Sequence, residues 1–288
     1  MKILVTGGSG QLGQELMRRA SELGIDAIGT TRGELDVTQP EQVDDVFERV
    51  HPDVLINTSA YHVVLDCETH ADAAFLTNTV AVAQMALKCK ERDVQFITYT
   101  TDYVFDGTKG TPYVETDVTH PLQMYGLSKL AGEIAARNMN KSSIVIRTCG
   151  VYGGKTGSSS KKGNFVLYIL GEAETKSAIE VSSEQIVNPT FAGHLADATL
   201  ALLHKQPTGG VYHLANSGYC SWAEFAQEIV KFAGKKLEVI PVDRGGTNGT
   251  MKRPLFSALE NTKAKALGVT LPTWKEGVQA YIEYLQHK

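Results

Sequence analysis

The sequence predicts an α/β fold: a doubly wound parallel sheet followed by a smaller C-terminal α/β lobe. Two observations carry this. Over the first half of the chain, short apolar runs alternate with stretches whose apolar residues recur every three to four positions, the mark of buried strands alternating with amphipathic helices. Gly7, Gly10 and Gly13 fall between the first such run and the first such stretch, where a strand turns into a helix.

Taken in order, Lys2–Thr6 reads as a strand. Gln11–Leu23 reads as a helix, with Leu12, Leu16 and Ala20 at helical spacing. Ile25–Thr31 is the second expected strand. Pro40–Val50 is a helix with Thr38 as its candidate cap, and Asp53–Asn57 is the third strand. His70–Glu91 reads as one long helix, Val94–Thr100 as the fourth strand, Pro121–Asn138 as a helix and Ser143–Thr148 as the fifth strand. The pattern changes after Gly150. Gly153–Gly163, rich in Gly, Ser and Lys, reads as a mobile loop. Helices are expected at Phe165–Ala173, Phe191–His204, Ser221–Phe232 and Trp274–Gln286, and strands at Ala178–Val181, Gly210–Leu214 and Leu237–Pro241. A glycine-rich turn at Gly245–Gly249 precedes the last helices. Residues 1–150 with about 188–207 form the expected cofactor-binding part, and about 151–187 with 208–288 the substrate lobe. The cleft between them is the natural site.

Composition narrows the function classes. The chain has 288 residues, 42% of them hydrophobic and 21% charged, as ordinary globular proteins do. A net charge of −4 supplies no general field for nucleic acid or an anionic membrane. The four cysteines, Cys67, Cys89, Cys149 and Cys220, are scattered, which fits reduced thiols in a cytoplasm better than a disulfide framework. No stretch approaches the ~20 apolar residues a transmembrane helix needs. A cytoplasmic protein, monomer or homodimer, is expected.

In Gly7-Gly8-Ser9-Gly10-Gln11-Leu12-Gly13, one glycine allows the sharp turn, another lets pyrophosphate approach the backbone, and the third lets helix and strand pack closely. The helix N-terminus then offers free N–H groups to phosphate. This is a Rossmann-type dinucleotide site. At the end of the second strand stands Thr30-Thr31-Arg32, with no acid before Glu34 and Asp36. Arg32 suits the 2′-phosphate of NADPH, and a solvated surface arginine is the competing reading. NADPH is therefore placed ahead of NADH.

Tyr125 and Lys129 are four residues apart and share one helix face. An ammonium beside a phenol is expected to stabilise the phenolate, so that Tyr125 can give its proton to a carbonyl oxygen as hydride arrives at the carbon. Lys129 can also bind the nicotinamide ribose. Thr101, at the carboxyl end of the fourth strand, can hold the carbonyl against Tyr125, or it can be a turn hydroxyl. Asp102 beside it is read either as a substrate contact or as an acceptor for backbone N–H groups.

These residues together resemble the dTDP-4-dehydrorhamnose reductase family of the extended short-chain dehydrogenase/reductase superfamily. The resemblance runs over nearly the whole chain. It includes the glycine loop, Leu35-Asp36-Val37, Asn57-Thr58-Ser59-Ala60-Tyr61, Thr101-Asp102-Tyr103-Val104-Phe105-Asp106-Gly107 and Tyr125-Gly126-Leu127-Ser128-Lys129. Arg147-Thr148, Gly163-Asn164-Phe165, Asn188-Pro189-Thr190, Tyr212-His213-Leu214 and Arg253-Pro254 match in kind and order. The resemblance implies NAD(P)H-dependent reduction of the C4 keto group of a nucleotide-linked 4-keto-6-deoxyhexose, with dTDP-4-dehydro-L-rhamnose the first candidate. It makes Tyr125 the proton donor, Lys129 its electrostatic partner and Thr101 the orienting hydroxyl. Gly10, Gln11 and Leu12 would meet the pyrophosphate, Asp36 and Val37 the adenine, and Ser59, Ala60 and Tyr61 the nicotinamide side. Asp102, Tyr103, Asn164 and Arg253 would face the nucleotide sugar.

The chain departs from the family at some positions. Gly150 stands where the family usually has a tryptophan after Arg-Thr, Tyr61–Asp66 is less polar than usual, and Ser158–Lys162 is an insertion near the expected sugar pocket. His62 is read as a packed or surface histidine rather than a second acid–base group. Glu172, Glu174, Glu180 and Glu184 are read as a solvated face rather than ligands for a divalent metal, as reported for some relatives. Two other functions stay open: an epimerase or dehydratase of the same superfamily, and a non-catalytic NADP-binding regulatory subunit.

Overall fold

The computed structural model describes residues 1–155, 163–245, 247–248 and 251–286. Most of the expected Gly153–Gly163 loop, including Ser158–Lys162, and part of the Gly245–Gly249 turn lie outside the described residues.

The core is a six-stranded parallel sheet. Its strands are β1 (Lys2–Thr6), β2 (Asp26–Thr30), β3 (Val54–Asn57), β4 (Gln95–Thr101), β5 (Ile144–Thr148) and β6 (Gly210–His213). Their spatial order is β6-β5-β4-β3-β1-β2. The chain runs outward from β1 to β2, then returns to β3 on the other side of β1. That reversal opens a crevice at the carboxyl ends of β1 and β3.

Alternate strand residues point to opposite faces, and both faces are covered. Val5, Ile56, Ile97 and Ile146 pack against Leu16 of α1 (Gln11–Glu22) and Leu195 and Leu202 of the helix Ala192–His204. Leu4, Leu55, Phe96 and Val145 pack against Phe47 of α2 (Pro40–Val50), Met85 of α3 (Ala81–Glu91) and Ala136 of α4 (Met124–Met139).

The smaller lobe pairs Ala178–Ser182 with Glu238–Val242 in parallel. Helices Phe165–Thr175, Trp222–Phe232 and Trp274–Gln286 enclose an aromatic core of Tyr152, Phe225, Trp274 and Tyr281. Ser221 and Glu224 open Trp222–Phe232 with a reciprocal capping box. Among the described residues no helix is long and apolar enough to cross a membrane.

Three expectations are corrected. Gly210–His213, assigned to the substrate lobe, is the sixth strand of the main sheet, because Val211 and Tyr212 fill opposite sheet faces beside β5. His70–Glu91 is helical from Ala71 onward but contains a π-helical turn. Val64–Thr69 already forms a helical turn, the chain breaks at His70, and the π-helical turn at Leu76–Val80 joins Ala71–Phe75 to α3 without a break. Thr38 does not cap α2. The cap position is Gln39, and the Thr38 hydroxyl donates to Asp36 Oδ1 at 2.7 Å.

Candidate active site

The glycine loop leaves β1 through Gly7, whose φ of +70° favours glycine. A Cβ on Gly13 would lie 2.3 Å from the Gly7 carbonyl oxygen, so α1 packs this close only with glycine there. The N-cap of α1 is Gly10, which has no side chain to occupy the first-turn N–H groups. These groups face a cleft of about 330 Å³. One wall is the loop itself, at Gly7, Gly10, Gln11 and Leu12. Arg32, Asp36 and Val37 line the end near β2, and Ser59, Ala60, Tyr61 and His62 the side after β3. Gly13, Tyr125 and Lys129 are not in its lining. The residues fit a dinucleotide: a glycine cradle for pyrophosphate, with a cation at one end. The Arg32 side chain is 87% exposed and meets Asp36 only at 3.6 Å, so it is free to turn toward a ligand.

At the carboxyl end of β4, Tyr125 is half-buried on α4 and faces Thr101. The Tyr103 ring packs edge-on against it at 6.1 Å. Burial, then the Asp102 carboxyl, push the Tyr125 phenol upward. Lys129, one turn along α4, is buried, and burial pulls its ammonium down to about 8. The phenol was expected to be lowered by Lys129, but burial dominates and holds it upward. The resting phenol is neutral, which is the form a proton donor needs.

Lys129 supports a phenolate only while it carries a proton. Its pKa lies below the ordinary lysine value, so the ammonium is lost as pH rises through about 8. Turnover is expected to fall across that point, and a pH profile of kcat measures it. A flat profile across that range would leave Lys129 without its charge-dependent role.

The expected sugar contacts are placed less uniformly. Asp102 is buried, taking hydrogen bonds from Thr101 Oγ1 at 3.0 Å and from Ser257 Oγ, in the smaller lobe, at 2.6 Å. Asn164 caps the helix Phe165–Thr175 by accepting from the Leu167 N–H at 3.0 Å. Its amide nitrogen donates to Tyr281 at 2.9 Å and to Gln11 Oε1 at 3.1 Å, which ties the smaller lobe to the glycine loop. Arg253 is half-buried, and its charge bears on Tyr103. Gly150 has a φ of +55°, the left-handed region, so a bulky side chain there would be strained. His62 lines the cleft with its ring 3.5 Å from the Ala60 carbonyl oxygen. Glu172, Glu174 and Glu180 pair with Lys176, Lys235 and Arg244.

Two supporting residues escaped the sequence reading. Asn78, buried in the π-helical turn, accepts from the Tyr61 N–H and donates to the Tyr61 carbonyl, both at 2.9 Å. It also donates to Ser128 Oγ on α4 at 3.0 Å. It therefore joins the loop after β3 to the Tyr125–Lys129 helix. The signal available was an asparagine inside an otherwise apolar helical pattern. Glu68 accepts from the Met124 N–H at 2.8 Å and so anchors the first turn of α4, where a carboxylate suits the helix dipole.

Residues 1–287 match the family model described as RmlD substrate binding domain. The chain belongs to that family. Within it, this RmlD-family chain is 36% identical to the spore coat polysaccharide biosynthesis protein SpsK of Bacillus subtilis, over 98% of this chain and 97% of that one. It is 33% identical to the dTDP-4-dehydrorhamnose reductase of Escherichia coli, over 99% of this chain and 98% of that one. Among solved structures, the dTDP-4-dehydrorhamnose reductase of Bacillus anthracis in complex with NADP superposes with a TM-score of 0.91. The two are 29% identical, with 100% of this chain and 99% of that chain covered. A UDP-glucose 4-epimerase of Thermus thermophilus, 18% identical with a TM-score of 0.81, shares the fold. The RmlD family lies within the extended short-chain dehydrogenase/reductase superfamily.

Proposed function

We propose that the protein is an NADPH-dependent reductase of the C4 keto group of a dTDP-linked 4-keto-6-deoxyhexose, with dTDP-4-dehydro-L-rhamnose the first substrate to test. The observation that carries this is the neutral Tyr125 phenol facing Thr101, one turn from Lys129, at the end of a strand beside the nucleotide cleft. NADPH supplies the hydride when bound. Tyr125 holds the proton for the new alkoxide, Lys129 steadies the phenolate as it forms, and Thr101 fixes the carbonyl. Gly7, Gly10, Gln11, Leu12 and Gly13 form the pyrophosphate cradle. Asp36 and Val37 flank the adenine, and Ser59, Ala60 and Tyr61 the nicotinamide side. Tyr103, Asn164 and Arg253 serve the nucleotide sugar, with Asn164 exchanging its Gln11 and Tyr281 partners to do so. Residues 1–150 with about 188–214 form the cofactor half, and the remainder the substrate lobe. The reaction belongs in the cytoplasm, where NADPH is supplied.

The test is NADPH oxidation, followed by absorbance, over a panel of nucleotide 4-keto sugars. Stoichiometric consumption supports a reductase. Substrate conversion without consumption favours an epimerase or dehydratase, and cofactor binding with no conversion favours a regulatory subunit. The choice of NADPH rests on the exposed Arg32 at the cleft end. Arg32→Ala is expected to weaken NADPH about tenfold, the worth of one charge-assisted contact, and to leave NADH within about twofold. Equal losses for the two cofactors in a fluorescence titration would remove Arg32 from 2′-phosphate recognition.

A further inference from the structure

Asp102 is 4% exposed, and its hydrogen-bond partners are hydroxyls rather than a cation. Thr101 Oγ1 lies 3.0 Å from Oδ1, Ser257 Oγ lies 2.6 Å from Oδ2, and the buried Cys149 thiol stands near the carboxyl. Thr101 Oγ1 meanwhile accepts from the Tyr103 N–H at 3.2 Å. A hydroxyl has one proton to give. If the Thr101 proton goes to an ionised Asp102, Thr101 can only accept, and it offers nothing to a keto oxygen. If Oδ1 carries a proton, the bond reverses: Asp102 donates to Thr101, and the Thr101 proton is free to point into the site.

Burial without a cation favours the neutral acid. The Asp102 carboxyl is indeed pushed upward by burial. The titratable groups facing it are Cys149 after β5, Tyr103 beside it and Tyr125 on α4, all pushed upward by burial and neutral. The Arg253 guanidinium bears on Tyr103, and Lys129 lies on the same helix as Tyr125. With the proton on Oδ1, Oδ2 still accepts from Ser257, so Thr101 and Ser257 both keep a hydrogen bond to the carboxyl without a charge.

We propose that Asp102 is a positioning residue that works as a neutral carboxylic acid, donating to Thr101 Oγ1 and so turning the Thr101 hydroxyl proton toward the keto oxygen beside Tyr125. This rests on the reductase reading above. Two donors, Tyr125 and Thr101, then converge on the oxygen where negative charge develops.

The test compares Asp102→Asn, Asp102→Ala, Thr101→Val and the Asp102→Ala/Thr101→Val double variant, with NADPH binding checked in each. Asn keeps a donor toward Thr101 and an acceptor toward Ser257, so kcat should stay within about threefold of the parent. Ala should lower kcat on the order of a hundredfold, the cost of one misdirected oxyanion donor, with KM little changed. In the Thr101→Val background the Ala change should cost no more than about twofold further, because the residue it acts through is gone. A residue that only holds the fold together would give multiplying losses. Asn as damaging as Ala would mean that the carboxylate charge is needed. Either result overturns the proposal while leaving the reductase reading in place. A parent that reduces no keto sugar sinks both.

Discussion

Tyr125→Phe is expected to lose turnover on the order of a thousandfold while binding NADPH as the parent does, since it removes one general acid and no cofactor contact in the cleft lining. The change deletes a single oxygen from a half-buried ring. The ring keeps its edge-on contact with Tyr103 at 6.1 Å, so the fold has little reason to respond. What disappears is the phenolic proton that α4 places at the end of β4, beside Thr101. Reduction of a ketone leaves an alkoxide that must be protonated in or just after the transition state. Water admitted in place of the phenol is neither oriented by Thr101 nor steadied by Lys129. Steady-state assays against dTDP-4-dehydro-L-rhamnose, with a parallel fluorescence titration of NADPH, separate the two effects. Turnover within tenfold of the parent would remove Tyr125 from the chemistry. Lost NADPH binding would show that its role is to build the cofactor site.

The sheet was legible in the sequence because its strands are buried on both faces, which leaves uninterrupted apolar runs such as Ile3-Leu4-Val5 and Ile144-Val145-Ile146. The glycine loop was legible because two of its glycines answer backbone demands that only glycine meets, a left-handed turn at Gly7 and a backbone contact at Gly13. What failed to show was tertiary. The π-helical turn inside the expected His70–Glu91 helix holds Asn78, whose side-chain bonds reach two distant segments, at Tyr61 and Ser128, which no local periodicity encodes. Gly210–His213 looks like any short strand, and only its partner β5 shows to which half it belongs. The direction of the Tyr125 shift was also out of reach. A Tyr–Lys spacing reports proximity along a helix, whereas the shift depends on how much of the fold closes over the phenol.

Glu133→Ala should destabilise the protein by about 3–5 kcal/mol, because it strands a buried guanidinium. Arg147 of β5 and Glu133 of α4 meet in a two-pronged pair, Nε to Oε2 at 3.0 Å and Nη2 to Oε1 at 2.6 Å, with only 4% and 3% of their side chains exposed. Arg147 also lies over the Phe105 ring at 5.1 Å, and the neighbouring His213, stripped of water and facing that cation, is held neutral, down to about 3. His213 therefore adds no second positive charge. Spread over a chain of this size, the loss should lower the melting temperature by roughly 10 °C. The pair as a whole is worth far less than either half suggests, because an apolar pair of similar volume carries no desolvation cost. Glu133→Leu with Arg147→Met should thus recover most of the stability lost in Glu133→Ala. Activity need not recover with it. Glu133 stands one turn beyond Lys129 on α4, and Arg147 pairs in register with Thr100, next to Thr101, so the ion pair fixes the height of the Tyr125–Lys129 helix over β4. A double variant that melts like the parent but turns over more slowly would show that the pair sets catalytic geometry. Full recovery of both would reduce it to a packing solution. A single variant as stable as the parent would mean that water reaches Arg147 and the pair is not buried.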